Sequence, residues 1–381
     1  MKIRAILERA IALGASDLHL KSGVPPVARM HGVLTPLDFP PPKPAELEEV
    51  AQQILTPVQR DIFESTREVD FAFGVSGLAR FRANFFVQRG SISMVFRHVS
   101  TNVPQLEELN LPPLLAELSL RRRGLILVTG TTGSGKSTTL AAMISHINHA
   151  MPVNIITLED PIEFLHRDVA GLIQQREVGT DTISFHEALR HILRQDPDVI
   201  MIGEIRDRET MEIALTAADT GHLVLSTLHT IDATQTVNRI ISFFEPHQHQ
   251  EVRYLMATTL QAVISQRLIP TPDHSGRVPA VELMVATSTI RDYIRDPEKT
   301  PLIRQAIQDG VAQYGMQTFD QSLMQLIKDG RITETEALQA SSNPHELSLR
   351  MGGVTASSDQ SWNRFEATPQ GLGSGPSKSR L

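Results

Sequence analysis

The residues best suited to chemistry lie in positions 130–137, where three glycines precede a lysine and a serine. Glycines let a backbone curl until several N–H groups point at one anion, and a helix starting there adds its positive dipole end. The stretch follows a short apolar run and leads into a helical pattern, the context in which G-x-x-x-x-G-K-[ST] binds phosphate. We predict that Lys136 reaches the β- and γ-phosphates of ATP and that Ser137 ligates Mg²⁺. The predicted nucleotide contacts are Gly130, Thr131, Thr132, Gly133, Ser134, Gly135, Lys136, Ser137 and Thr138.

Hydrolysis also needs a carboxylate that orients or deprotonates the attacking water. Two groups of acids compete for this role: Glu159, Asp160 and Glu163 after one apolar run, and Glu204 after another. Ligands of open α/β sheets bind at the carboxyl ends of strands, so both positions are suitable. We assign Glu163 as the base and Glu204 as the Walker-B acid near Mg²⁺. Glu159 and Asp160 are assigned to nucleotide binding, with helix capping as the open alternative.

Four arginines are candidates for neutralising charge on a transferred phosphate. Arg82 and Arg97 fall on the polar faces of a predicted antiparallel hairpin. Arg190 and Arg194 are spaced i,i+4 on a predicted helix, where they could clamp phosphate or pair with surface carboxylates. Spacing alone does not separate these roles, and for the hairpin arginines it favours a solvated face.

Two histidines flank an apolar run: His222 precedes it and His229 follows it. A histidine at a strand end can sense a γ-phosphate or hold a catalytic carboxylate. A single histidine is more often a structural residue, so the pattern by itself leaves the role of both open.

The composition of the 381-residue chain narrows the class of protein. Hydrophobic residues make up 41% and charged residues 21%, which is typical of a soluble globular protein. A net charge of −7 and 5% aromatic residues argue against a RecA-like nucleic-acid translocase, so no nucleic-acid partner is expected. The chain has no cysteine, which excludes disulfides, thiol catalysis and cysteine-ligated zinc. No apolar window is long enough to span a bilayer, so we expect a cytoplasmic protein.

The pattern of apolar residues predicts four regions. Residues 1–100 combine a helical pattern at 3–11 with period-two strands around a turn at 88–91, typical of a small α+β domain. Residues 101–123 are rich in proline and arginine and predict a connector. In 124–350, short apolar runs alternate with helical patterns, which predicts a parallel α/β sheet followed by helices. Residues 351–381, rich in Gly, Ser, Thr and Pro, predict a disordered tail.

Taken together, these motifs resemble those of the secretion ATPases, and in particular of the type IV pilus retraction ATPases (the PilT/PilU group), over roughly residues 1 to 350. The P-loop, the acidic box 157–163, Glu204 and the two histidines occur in the order of that family. Four shorter strings are also similar to the family, and they are ASDLH at 15–19, RFR at 80–82, QREVG at 175–179 and GMQTFD at 315–320.

The resemblance implies an α/β fold, with a RecA-like P-loop ATPase domain and a smaller, α+β, PAS-like N-terminal domain. It implies a homohexameric ATPase at the cytoplasmic side of the inner membrane, working on the platform protein of a pilus machine; a second retraction ATPase that shares the work is left open. It also implies roles in the nucleotide site for Glu163 as base, for Glu204 as Walker-B acid, for the histidines as a histidine box and for the four arginines.

Two features bear on the direction of such a motor. Pilus-extension and type II secretion relatives usually carry a tetracysteine zinc module and a longer N-terminal region, whereas this chain has no cysteine. The retraction motif of the family begins Ala-Ile-Arg, but here Thr289 stands in place of the alanine. We therefore expect a retraction ATPase, with an extension or secretion ATPase, an accessory retraction role and a non-hydrolysing nucleotide-gated scaffold as alternatives.

Overall fold

A computed structural model describes residues 2–30, 32–352, 362 and 365. The described residues fall into two compact units. The N-terminal unit comprises residues from 1–103 and 151–197, and the P-loop unit comprises residues from 104–150 and 198–381.

The strands, in chain order, are β1 (Asp17–Lys21), β2 (Val24–Met30), β3 (Val33–Pro36), β4 (Glu68–Val75), β5 (Ala79–Gln88), β6 (Ser91–His98), β7 (Gly124–Thr129), β8 (Asn154–Glu159), β9 (Leu172–Glu177), β10 (Val199–Ile202), β11 (Leu223–Leu228), β12 (Leu260–Pro270) and β13 (Arg277–Val285). The α-helices are α1 (Ile3–Ala12), α2 (Pro44–Ile54), α3 (Pro57–Thr66), α4 (Leu114–Ser119), α5 (Lys136–Ala150), α6 (Phe185–Ile192), α7 (Arg208–Asp219), α8 (Ala233–Ser242), α9 (His249–Thr259), α10 (Ser288–Arg295), α11 (Ile303–Asp309), α12 (Val311–Tyr314), α13 (Phe319–Lys328), α14 (Glu334–Ala340) and α15 (Pro344–Met351).

The N-terminal unit is built on an antiparallel sheet in the order β3-β2-β1-β6-β5-β4. Its β5–β6 pair is the hairpin that the period-two pattern predicts. Arg82 on β5 lies opposite Arg97 on β6, which in turn lies opposite Asp17 on β1. Because cross-strand partners point to the same face, these three charged side chains share one surface of the sheet.

Phenylalanines fill the opposite face of the same sheet. The ring of Phe85 lies edge-on to Phe71, with centroids 5.0 Å apart, and to Phe96, at 5.6 Å. Helices α1 and α2 complete this core with Leu7 and Leu47, both of them buried. The alternation of buried phenylalanines with charged residues fixes the register, since a slip of one residue would bury the arginines.

The parallel pair β8–β9 also belongs to the N-terminal unit, with Glu159 opposite Glu177 at its carboxyl end. Helix α6 packs against β8. The side chain of Ser184 caps this helix by accepting the N–H of Glu187. The helix ends at Ile192, so Arg194 lies beyond it and the predicted helical i,i+4 pairing with Arg190 is not formed.

The P-loop unit contains the strand order β13-β12-β7-β11-β10. Strands β10, β11, β7 and β12 run parallel to their neighbours, and β13 pairs with β12 in the antiparallel direction. Every residue of β7, β10 and β11 is buried, as their continuous apolar sequences predict. The predicted α/β fold class is therefore confirmed, and the segment after β13 is mostly helical, as expected.

A separate core lies at the end of the P-loop unit, where α13, α14 and α15 pack on the outer part of the β12–β13 pair. Trp362 and Phe365 are buried in this core, and the guanidinium of Arg350 lies 4.2 Å from the centre of the Trp362 ring. The predicted disordered tail of residues 351–381 lies, apart from residues 351, 352, 362 and 365, outside the described residues. Among the helices that the structure describes, none is both long and apolar enough to cross a membrane.

We expect Phe85→Ala to destabilise the N-terminal unit by about 3–5 kcal/mol, because it removes a fully buried ring and two edge-to-face contacts. Native-state amide hydrogen exchange in β5 and β6 would measure this loss. The chain's one tryptophan and three tyrosines all belong to the P-loop unit, so intrinsic fluorescence follows that unit separately.

Val33→Thr is the matched control, because Val33 is 65% exposed and should change stability by less than about 0.5 kcal/mol. Unchanged exchange in Phe85→Ala would contradict the role of this core.

Candidate nucleotide site

The predicted phosphate-binding loop connects the carboxyl end of β7 to the start of α5. Gly130 has a φ of +145°, and a Cβ at this position would lie 2.4 Å from the Ser134 hydroxyl oxygen and 2.5 Å from the carbonyl oxygen of Gln266. Only glycine fits so close to two other groups. The side-chain oxygen of Ser134 is buried and has no hydrogen-bond partner among the described residues. A curled loop with an unsatisfied buried hydroxyl has the character of a preformed anion site.

Lys136 lies inside this loop and is only 8% exposed. Its Nζ donates to the carbonyl oxygens of Gly130, at 3.0 Å, and Thr131, at 2.9 Å. Burial lowers the pKa of this ammonium, and the nearby carboxylate of Glu204 partly offsets that effect. A buried cation that is held by neutral carbonyls gains strongly from an anion at the same place, because charge-assisted hydrogen bonds are the stronger ones.

The carboxyl ends of β10 and β11 bring Glu204 and His229 together. His229 Nε2 lies 3.2 Å from Glu204 Oε2, and the guanidinium of Arg206 pairs with the other carboxylate oxygen. Burial raises the pKa of Glu204, but the hydrogen bonds from Arg206 and His229 outweigh this and hold the pKa below its usual value. Glu204 is therefore ionised at neutral pH.

Ser137 and Glu204 carry donor types that fit Mg²⁺. Hydroxyl and carboxylate oxygens are the hard ligands that this ion prefers, and nucleotide-bound Mg²⁺ usually takes only one or two protein ligands beside phosphate and water. No group of three or more His, Cys, Asp or Glu residues that could hold a metal occurs in the described part of the chain. A metal at this site would therefore depend on the phosphates for most of its ligands.

A cavity of about 220 Å³ adjoins the loop within the P-loop unit. Its walls include Ser134 and Thr138 from the loop and helix α5, Leu268 and Arg277 from the β12–β13 hairpin, and Asn110 from the segment before α4. Apolar walls next to a guanidinium and an amide suit a heteroaromatic base, so the cavity has the composition needed to hold the nucleoside beside the phosphate loop.

In the N-terminal unit the structure brings together Arg82 and Glu163, which are 81 positions apart in sequence. Arg82 Nη1 donates to Glu163 Oε1 at 3.1 Å. Both side chains are partly exposed, at 34% and 46%, and pairs of this kind contribute about 0–1 kcal/mol. The pair is weak enough for either residue to exchange its partner for a phosphate group or a water molecule.

Arg97 is held by Asp17 on the neighbouring strand, with Arg97 Nε donating to Asp17 Oδ1 at 2.8 Å. Burial raises the pKa of Asp17, but hydrogen bonds from Arg97 and Ser16 lower it below its usual value. Sequence reasoning did not single out Asp17 as the partner of Arg97, although it lies in the family-like string at 15–19. A cavity of about 830 Å³ opens on the sheet face that carries Arg82 and Arg97.

The other predicted residues have different surroundings. Glu159 is 7% exposed, and its carboxyl accepts hydrogen bonds from Thr157, at 2.7 Å, and Gln175, at 3.1 Å; burial raises its pKa. Asp160 is exposed and lines the larger cavity. Arg190 is exposed on α6, where it lies 3.8 Å from Glu187.

His222 and His229 lie just outside opposite ends of the six-residue strand β11, about 23 Å apart at the usual rise per residue. His222 Nδ1 lies 3.0 Å from the carbonyl oxygen of Ala217, at the edge of the sheet that is remote from the phosphate-binding loop. The structure therefore places His229 and not His222 beside Glu204.

Thr289 stands in the first turn of α10, which the side chain of Thr287 caps. Its side chain is exposed, so the difference from alanine costs no packing. Arg291 on the same helix donates to the carbonyl oxygens of Ala257 and Thr258 at the end of α9. The helix is thus fixed by Arg291, independently of the residue at 289.

The comparisons with known proteins agree with this geometry. The chain matches the family described as "Type II/IV secretion system protein" over residues 1–355. The "Type IV pilus ATPase PilU" of Pseudomonas aeruginosa is 40% identical, over 98% of this chain and 96% of that protein. The "Type IV pilus retractation ATPase PilT" of the same organism is 44% identical, over 91% of this chain and its own full length.

A solved structure described as the "Pilus Retraction Motor PilT and Bound ADP" superposes with a TM-score of 0.84 at 46% identity, and covers 91% of this chain and 99% of that one. The predictions of an ATP hydrolase and of the secretion ATPase resemblance are confirmed. This chain belongs to the type II/IV secretion system protein family.

Proposed function

We propose that the chain is the ATP-hydrolysing motor subunit of a type IV pilus retraction machine, acting as a homohexamer on an inner-membrane platform protein from the cytoplasmic side. The observation that carries this proposal is a buried P-loop lysine near the ionised carboxylate of Glu204, which His229 contacts at 3.2 Å, in a chain that is similar to PilT over the whole of that protein. Helix α10 retains the arginine of the retraction motif, Arg291, which donates to the end of α9.

Lys136 and the backbone N–H groups of the loop bind the β- and γ-phosphates in this proposal, together with the hydroxyls of Ser137 and Thr138. Mg²⁺, when bound through Ser137 and Glu204, would neutralise charge on the phosphates. His229 holds the Glu204 carboxylate in place. His222 lies at the other end of β11, so its role stays a prediction of the sequence that this geometry does not support.

Glu163 is the proposed general base, because its partly exposed carboxylate is able to accept a proton from water. Arg82 and Arg97 are the proposed arginine fingers, which stabilise charge on the transferred phosphoryl group. Contributions of Arg190, Arg194, Glu159 and Asp160 to nucleotide binding remain predictions of the sequence.

An accessory role in retraction is the second candidate. The match to PilU extends over 98% of this chain, whereas the whole of PilT corresponds to 91%. An accessory ATPase of this kind would work beside a second retraction ATPase on the same pilus base.

Lys136→Ala should reduce nucleotide affinity at least about tenfold and abolish turnover, because it removes the cation that meets the phosphates. Fluorescent-nucleotide titration and phosphate release would measure the two effects. Lys328→Ala, at the exposed end of α13, is the matched control. Wild-type hydrolysis by Lys136→Ala would show that the site is assigned wrongly.

Glu163→Gln should leave nucleotide affinity unchanged and slow hydrolysis about 10²- to 10⁴-fold, the usual contribution of a general base. Single-turnover phosphate release at saturating ATP separates the chemical step from binding. If turnover is unchanged while Glu204→Gln abolishes it, Glu204 is the base.

Deletion of the gene in its host should leave cells with excess surface pili and without surface motility. Complementation with Lys136→Ala should fail to restore movement, which ties the phenotype to ATP. Bald cells would instead indicate an extension or secretion motor. Normal pilus number with only weakened motility would favour the accessory role.

A further inference from the structure

The string QREVG at 175–179 resembles the family, but the proposed catalytic groups do not account for it. Its first residues lie on β9, beside β8 and directly next to the acidic loop that carries Glu163. Gln175 and Glu177 are two positions apart on this strand, so their side chains point to the same face. That face contacts residues 159–166, the segment in which the proposed base lies.

Gln175 makes hydrogen bonds to residues before and after Glu163 in the segment 159–166. Its Nε2 donates to Glu159 Oε1 at 3.1 Å and to the carbonyl oxygen of Phe164 at 2.9 Å. Its Oε1 accepts the N–H of His166 at 2.8 Å. Both ends of one amide group are therefore used to fix the backbone immediately after Glu163.

Glu177 fixes the backbone immediately before Glu163. Only 3% exposed, it accepts the N–H of Ile162 at 3.1 Å through one carboxylate oxygen and the hydroxyl of Thr180 at 3.2 Å through the other. A buried carboxylate needs a counter-charge, and Arg80 supplies it: its Nη2 lies 3.2 Å from Glu177 Oε2, within ion-pair distance but without hydrogen-bond geometry.

The position of Arg80 links this anchor to the proposed arginine finger. Arg80 and Arg82 are two residues apart on β5 and share a face of the sheet. Two ion pairs therefore lie side by side: Arg80 with buried Glu177, and Arg82 with partly exposed Glu163. The first pair is the more buried of the two, so breaking it costs more free energy than breaking the second.

We propose that Glu177, paired with Arg80, is a positioning residue for Glu163: it anchors the Ile162 amide so that the adjacent carboxylate is presented in one place. This inference rests on the proposed role of Glu163 as base. Glu177 does not touch the substrate in this scheme. Glu177 acts by holding the backbone of Ile162, the residue that precedes Glu163.

The test is Glu177→Ala in the full-length protein, with kcat and KM for ATP measured separately. We expect kcat to fall about 10- to 100-fold, since a displacement of about 1 Å in a reacting group has this effect. The KM for ATP should change less than about threefold, because the phosphate-binding residues belong to the other unit. Glu177→Gln keeps an oxygen for the Ile162 N–H and should retain more activity than Glu177→Ala.

Glu8→Gln is the matched control. It removes an exposed ion pair of the same unit, in which Glu8 lies 2.8 Å from Arg4, and it should leave kcat unchanged. Amide hydrogen exchange at Ile162 should accelerate in Glu177→Ala while nucleotide affinity is retained. If nucleotide affinity is retained while hydrogen exchange at the Ile162 amide becomes faster, the loss of kcat is due to a local displacement and not to general unfolding.

A double-mutant cycle separates this inference from the assignment of the base. If Glu177 acts through Glu163, Glu177→Ala should cause no further loss of kcat in the Glu163→Gln background. An equal loss in both backgrounds, or wild-type kcat in Glu177→Ala, overturns the positioning role. Wild-type turnover by Glu163→Gln itself would instead overturn the assignment of the base.

Discussion

The phosphate-binding loop depends on the close approach of two segments of backbone at Gly130. The carbonyl oxygen of Gln266 on β12 occupies the space that any side chain at this position would need. The same glutamine exchanges hydrogen bonds with the Thr139 hydroxyl on α5, at 2.8 and 3.2 Å, so that β12 also fixes the helix that follows the loop. The shape of the loop is thus imposed by a strand that begins 130 residues later in the chain.

The charged residues of the proposed site fall into two groups, one buried and one partly exposed. Lys136 and Glu177 are buried and held by several partners, whereas the side chains of Arg82 and Glu163 are partly exposed and pair with each other. Buried, fully bonded charges are costly to move, while exposed pairs are nearly neutral in energy. Groups that must contact a changing ligand can therefore move without disturbing the residues that support them.

Sequence alone predicted the fold class and the phosphate loop because both have local signals. The continuous apolar runs of β7, β10 and β11 specify buried parallel strands, and the glycine spacing specifies the loop. It missed the anchors Asp17, Glu177 and Gln266, because their partners lie far away in sequence and only folding brings them together. For Asp17 and Glu177 the available signal was an acidic residue inside a family-like string.

The family match ends at residue 355, but the hydrophobic core does not. Trp362 and Phe365 lie after that boundary and are buried against α13–α15, with Arg350 stacked on the indole ring. A chain cut at the family boundary would leave a groove of apolar side chains open to water, with a cation at its rim. The boundary of the family match is therefore not the limit of the folding unit, and a chain that ends there should expose apolar surface and be more prone to aggregation than the 381-residue chain.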